Sequence, residues 1–170
     1  RTELVRHLDP AVDLRDGTDT GVTDTAAGAP VAPADLEPIA PDATLVYRLG
    51  EPADAEAICR LTWRTYGYSY QHDEYYQPER LAAMFESGLQ ASFLVATADG
   101  EIVGHSALLL EHPDDVVVEG GRAMVDPRFR GHHLMGAAKE LRNTWLAEHR
   151  MLAMEGAAVT AHTRSQTDRA

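Results

Sequence analysis

Apolar and polar positions along the chain fall into a readable order of elements. Leu45-Val46-Tyr47-Arg48-Leu49 alternates weakly and stops at Gly50, which predicts a first strand. Glu51-Pro52 then opens a helix: proline suits its first turn, Ile58, Leu61 and Thr65 share a face, and Gly67 ends it. The same grammar repeats from Pro78, with a stripe of Leu81, Met84 and Phe85 and a stop at Gly88. Two strand patterns, 92–97 and 102–110, flank Asp99-Gly100, a pair suited to a two-residue type I′ hairpin turn with both central residues at positive φ. Val116 to Val125 reads as a third strand of that meander. Gly120-Gly121 in its middle calls for a bulge or a close backbone approach. Leu134, Ala138, Leu141 and Trp145 recur at helical spacing, predicting an amphipathic helix to about His149, and Ala157 to Ala161 reads as one more strand. The fold class is therefore α+β, with a mixed, mostly antiparallel sheet flanked by helices.

Composition places the boundaries. A chain of 170 residues with 44% apolar content suits one domain of ordinary size. Asp9 to Thr44 holds no Phe, Trp or Tyr and is rich in Asp, Thr, Ala, Gly and Pro, so residues 1–43 are expected to be a linker or the end of an upstream module. The domain is expected over 44–170. A net charge of −12 disfavours nucleic acid and anionic membranes as partners. The single Cys59 fits a reducing cytoplasm and reads as core packing, and the histidines show no spacing suited to a metal.

Chemistry concentrates in Val125-Asp126-Pro127-Arg128-Phe129-Arg130-Gly131-His132-His133-Leu134-Met135, between a strand and a helix start. A basic turn there offers unpaired amides plus the positive helix end, a setting for a pyrophosphate, with Arg130 the main side-chain contributor. A plain basic turn that begins a helix accounts for the same residues.

This segment resembles motif A of the GNAT acetyltransferases, a strand running through a turn into Arg/Gln-x-x-Gly-x-Gly/Ala and a helix. Arg128 and Gly131 match; His133 stands where the family has Gly or Ala. The element order from Leu45 onward agrees as well. Tyr66-Gly67-Tyr68-Ser69-Tyr70, Gly104-His105 and Val159-Thr160-x-His162-x-x-Ser165-Gln166 further resemble GNAT domains attached to bacterial ATPase-like anti-sigma regulators. The resemblance implies acetyl-CoA as co-substrate, held by Met124 and Val125 through their backbone and by Arg128, Arg130, Gly131, His132, His133 and Leu134. It implies an amine acceptor, walled by Tyr66, Tyr68 and Tyr70. Glu119 is the implied base, and a surface or hairpin-paired carboxylate is its alternative; His162 is either a proton-transfer partner or a structural histidine. Family members continue past this last strand with a helix that carries a tyrosine acid, so the resemblance also implies a domain incomplete at its C-terminus. Two functions follow: an N-acetyltransferase acting on a primary amine, or a non-catalytic module that senses acyl-CoA or contacts other proteins.

Overall fold

A computed structural model describes residues 3–7 and 44–156. Its secondary structure runs β1 (Glu3–His7), β2 (Thr44–Leu49), α1 (Ala55–Tyr66), α2 (Pro78–Glu86), β3 (Gln90–Thr97), β4 (Ile102–Leu109), β5 (Val117–Val125), α3 (Leu134–Glu148) and β6 (Ala153–Glu155). The strands form one six-stranded sheet in the order β1 to β6. Every neighbouring pair is antiparallel except β5 and β6, which the crossover through α3 makes parallel.

Period-two alternation divides β3 between the two faces of the sheet. Leu94 and Ala96 join Ile58, Leu61, Leu81 and Ile102 under α1 and α2. Phe93 and Val95 face the other way, towards α3: Val95 packs with Leu45, Tyr47 and Leu134, and Phe93 with Leu108 and Leu141. Each large apolar side chain removed from water this way contributes about 1.5–3 kcal/mol. The helices thus clamp the sheet from both sides, which fixes the end of β5 between α1 and the start of α3.

Two expectations change, and two lie outside the described residues. The folded unit does not open at Leu45: Glu3–His7 lies antiparallel to β2, so a strand from the presumed linker extends the sheet. The β3–β4 turn is not type I′, because Asp99 is not among the residues with positive φ, whereas Gly100 sits at φ 92. Gly100 N–H donates to the Thr97 carbonyl and Thr97 N–H to that of Glu101. These bonds make a three-residue loop in which one left-handed glycine follows an ordinary turn. The sheet's last described strand is Ala153–Glu155; a strand over 157–161 lies outside the described residues, as does His162.

Of the glycine pair of β5, Gly120 serves close approach, and the bulge follows the pair. A Cβ on Gly120 would stand 2.8 Å from Met154 Sδ of β6. The register then slips between the His105–Met124 and Ala107–Gly121 pairs, leaving Arg122 and Ala123 opposite Ser106 alone. Arg122 takes φ 56 there, a left-handed conformation without glycine's freedom.

Candidate active site

The loop after β5 begins with a buried knot of charge. Asp126, fully buried, accepts bonds from the Arg64 Nε at 2.7 Å, the Arg128 amide at 3.0 Å and the Arg128 guanidinium at 2.9 Å and 3.0 Å. Burial pushes its carboxyl up, but the bonds from Arg128 and Arg64 outweigh it and hold it below the usual range. Arg128 also reaches Glu101 at 2.7 Å. Its guanidinium is therefore engaged inside the protein, on Asp126 and Glu101.

Past this knot the loop is open. The amides of Gly131, His132, His133, Leu134 and Met135 donate to no acceptor among the described residues. They surround the N-terminus of a 15-residue helix, where the unpaired N–H groups and the helix dipole attract an anion. Half-buried Arg130 makes no ion pair among the described residues, so its charge is available to the same anion. Both ring nitrogens of His132 are buried and unpartnered, and burial, followed by the neighbouring His133, pulls its pKa down. A phosphate-bearing ligand fits these orphan groups.

His133 caps α3 at φ 54 and ψ 32 with its side chain exposed. The family's small residue at this position is explained by that left-handed backbone: glycine adopts it freely, and histidine is one of the residues that tolerate it. The ring does not fill the loop.

Of the groups expected to handle the acyl chain, Met124 buries its side chain against Thr62, whose Oγ1 approaches its sulfur at 3.4 Å, so only its backbone faces the sheet edge. Val125 is half-buried beside the α3 cluster. The parallel ladder to β6 covers Val117 to Glu119 and is not continued towards Val125 among the described residues.

An aromatic cluster forms where the loop between α1 and α2 meets the bulge. Tyr66 and Tyr70 stack with ring centroids 4.8 Å apart, and Tyr70 meets the His72 ring edge-on at 5.2 Å. Burial raises the Tyr70 hydroxyl well above its ordinary value and depresses His72, whose Nδ1 lies 3.7 Å from Glu74. Arg122 perturbs both groups from the bulge and pairs with Glu119 at 3.2 Å. Glu119 is about half exposed, on the rim of this cluster. Tyr68 departs from the expected wall: it is 86% exposed and packs edge-on against Trp63 on the outer side of α1. Cys59 is buried and its thiol is pushed up to about 11, chiefly by burial, which makes it packing and not a nucleophile.

Beneath the bulge lies a polar residue that periodicity alone does not single out. His105, fully buried, contacts the Arg122 carbonyl through Nδ1 at 2.9 Å and Ser92 Oγ through Nε2 at 3.0 Å. Its one signal in the sequence is Gly104-His105, part of the resemblance.

The bulged strand thus ends in a loop of unpaired amides, with an aromatic cluster beside the bulge. Residues 55–168 match the model of the acetyltransferase (GNAT) family, and the chain belongs to that family. Acetyl-CoA is the family's co-substrate. Similar solved structures agree in fold. The chain is similar to the acetyltransferase AAC(6')-Iy in complex with a CoA bisubstrate analogue, at 18% identity and TM-score 0.57, covering 74% of this chain and 86% of that one. It is likewise similar to the same aminoglycoside N-acetyltransferase in complex with CoA, at 17% identity and TM-score 0.56, over 79% and 88%. A ribosomal-protein-alanine N-acetyltransferase from Brucella melitensis biovar Abortus 2308 follows at 15% identity and TM-score 0.52, over 74% and 86%. A search by sequence among curated proteins finds no match. Among the described residues no helix is long and apolar enough to cross a membrane.

Proposed function

We propose that this protein is an N-acetyltransferase that moves an acetyl group from acetyl-CoA to a primary amine. The observation that carries the reading is the set of unpaired amides from Gly131 to Met135 beside the free charge of Arg130, at the end of a bulged strand. These groups hold the pyrophosphate; Val125 and the Met124 backbone line the path of the pantetheine arm. Bound acetyl-CoA supplies a thioester whose carbonyl the amine attacks, with the C–S bond breaking and the thiolate leaving.

The amine arrives protonated at neutral pH and must lose a proton before attack. Glu119 is our candidate for this base: it is half exposed, pairs with Arg122 and lies close enough to His72 to bear on its charge. Glu74, Glu119 and the tyrosine hydroxyls favour a cationic acceptor, and the stacked rings of Tyr66 and Tyr70 give it an apolar wall.

Calorimetric titration of CoA, together with thiol release from acetyl-CoA in the presence of a diamine, an amino sugar and a peptide with a free N-terminus, tests the reading. Binding plus amine-dependent thiol release is expected. The exposure of Glu119 and its pairing with Arg122 favour one second reading, an acyl-CoA sensor without transfer. Binding with no thiol release from any of the three amines would establish it, and no binding at all would remove both.

A further inference from the structure

The bulge of β5 needs an explanation, because Arg122 holds a left-handed backbone that a non-glycine residue adopts only when its surroundings enforce it. The enforcing group is identifiable from its hydrogen bonds. The Arg122 carbonyl can only accept, so His105 Nδ1 carries the proton that fills the 2.9 Å gap. In the neutral ring Nε2 must then accept, and Ser92 Oγ–H is its donor at 3.0 Å. Ser92 Oγ in turn accepts from Gln90 Nε2 at 2.9 Å, and Gln90 Oε1 accepts the Tyr75 hydroxyl proton at 3.3 Å. Every proton in the chain points one way, from Tyr75 to the bulge. Tyr75, Gln90, Ser92 and His105 are all buried, so water does not compete for these bonds.

The two ends of the chain are the informative part. One is the carbonyl of Arg122, whose side chain faces Glu119 and whose backbone leads into Met124 and Val125. The other is Tyr75, on the loop that carries Tyr70 and His72, against whose ring Tyr70 packs at 5.6 Å. The Tyr75 ring also meets His105 edge-on at 5.4 Å, closing the chain into a compact unit.

We infer that Tyr75, Gln90, Ser92 and His105 are positioning residues for acyl transfer, which pin the β5 bulge by its Arg122 carbonyl and lock it to the acceptor loop. All four are buried, so they act through the groups they hold. They set the distance between the acyl-binding strand and the loop that carries Tyr70 and His72. This rests on the transferase reading above. A small core built for stability alone would place apolar side chains here, as the sheet does immediately alongside with Leu94, Ala96 and Ile102.

Two measurements test the inference. Nitrogen-15 shifts of the His105 ring in the ligand-free protein at pH 7 should show the proton on Nδ1; a proton on Nε2 would overturn the chain as drawn. Steady-state thiol release, with whichever of the three amines above reacts fastest, is then compared across variants. Ser92→Ala and His105→Leu should lower kcat at least tenfold with the CoA dissociation constant within twofold of wild type. His105→Asn, which can still donate to the Arg122 carbonyl, should regain at least threefold over His105→Leu. A wild-type kcat in folded Ser92→Ala, a parallel loss of kcat and CoA affinity, or no recovery by Asn would overturn the positioning role. Failure of the wild type to bind CoA would instead bring down the transferase reading, and the ring shifts would still report whether the chain itself exists.

Discussion

Lowering the pH should act on His105 more sharply than on any other histidine described. Burial pulls its pKa down from 6.5 to about 4; the bond to the Arg122 carbonyl works against that fall and the Arg122 charge adds to it. In the unfolded chain the ring takes a proton near pH 6.5, whereas the folded protein resists until near pH 4. Between those values the unfolded state binds the extra proton, so stability falls as pH falls through this window and is unaffected above it. Integrated from pH 7 to pH 5, the loss is about 2 kcal/mol from this group. His72 and His132 are also depressed by burial and add losses of the same sign. A difference measurement isolates His105. His105→Asn is expected to be less stable than wild type at pH 7 by about 1–3 kcal/mol, because Ser92 loses its ring acceptor. The variant lacks the titrating group, so the gap should narrow by about 2 kcal/mol at pH 5. Urea unfolding of both proteins at the two pH values reads this directly. A gap constant to within about 0.5 kcal/mol would refute a buried neutral ring.

Four further outcomes are expected. Arg130→Ala should weaken CoA binding about tenfold, the worth of one charge-assisted bond to phosphate, and calorimetry with unchanged affinity would place the anion elsewhere. His133→Gly should raise stability by about 0.5–1 kcal/mol in thermal unfolding by relieving the left-handed backbone, and a lower Tm would show that the ring makes a contact of its own. Asp126→Asn should cost about 3 kcal/mol or more, because Arg64 and Arg128 lose their shared buried counterion; chemical denaturation within 1 kcal/mol of wild type would contradict the knot. Glu119→Gln should lower kcat at least tenfold with CoA affinity unchanged, and wild-type turnover across the pH range would make Glu119 a rim residue only.

Much of this architecture is legible in the sequence because it is periodic. Ile58, Leu61 and Thr65 on α1 and Leu134, Ala138 and Leu141 on α3 are buried as their spacing predicts. The turn between β5 and α3 is legible too, since its basic residues and glycine are consecutive. Long-range pairing is not. Arg64 and Asp126 stand 62 positions apart, so nothing local tells that Arg128 turns inward to join them while Arg130 makes no ion pair among the described residues. Backbone conformation is equally hidden: Arg122 and His133 at positive φ are ordinary letters in the sequence, and only the bulge and the helix start demand the unusual geometry. The turn at Asp99-Gly100 misleads for a related reason, because the same dipeptide serves a two-residue loop and a three-residue loop.

The inward turn of Arg128 bears on how fast a polyanion is captured. Arg64 and Arg128 face Asp126 and Glu101, two cations against two anions, so this cluster cancels at a distance. The chain as a whole carries a net charge of −12. A CoA molecule approaching from solution therefore meets a repulsive far field, and feels attraction only within about one Debye length of Arg130 and the open amides, roughly 8 Å at physiological salt. Encounter is governed by diffusion against a mild barrier and not by steering. Added salt should then leave the association rate constant level or raise it, the reverse of the behaviour of a positively charged capture site, while dissociation hastens as the local contacts are screened.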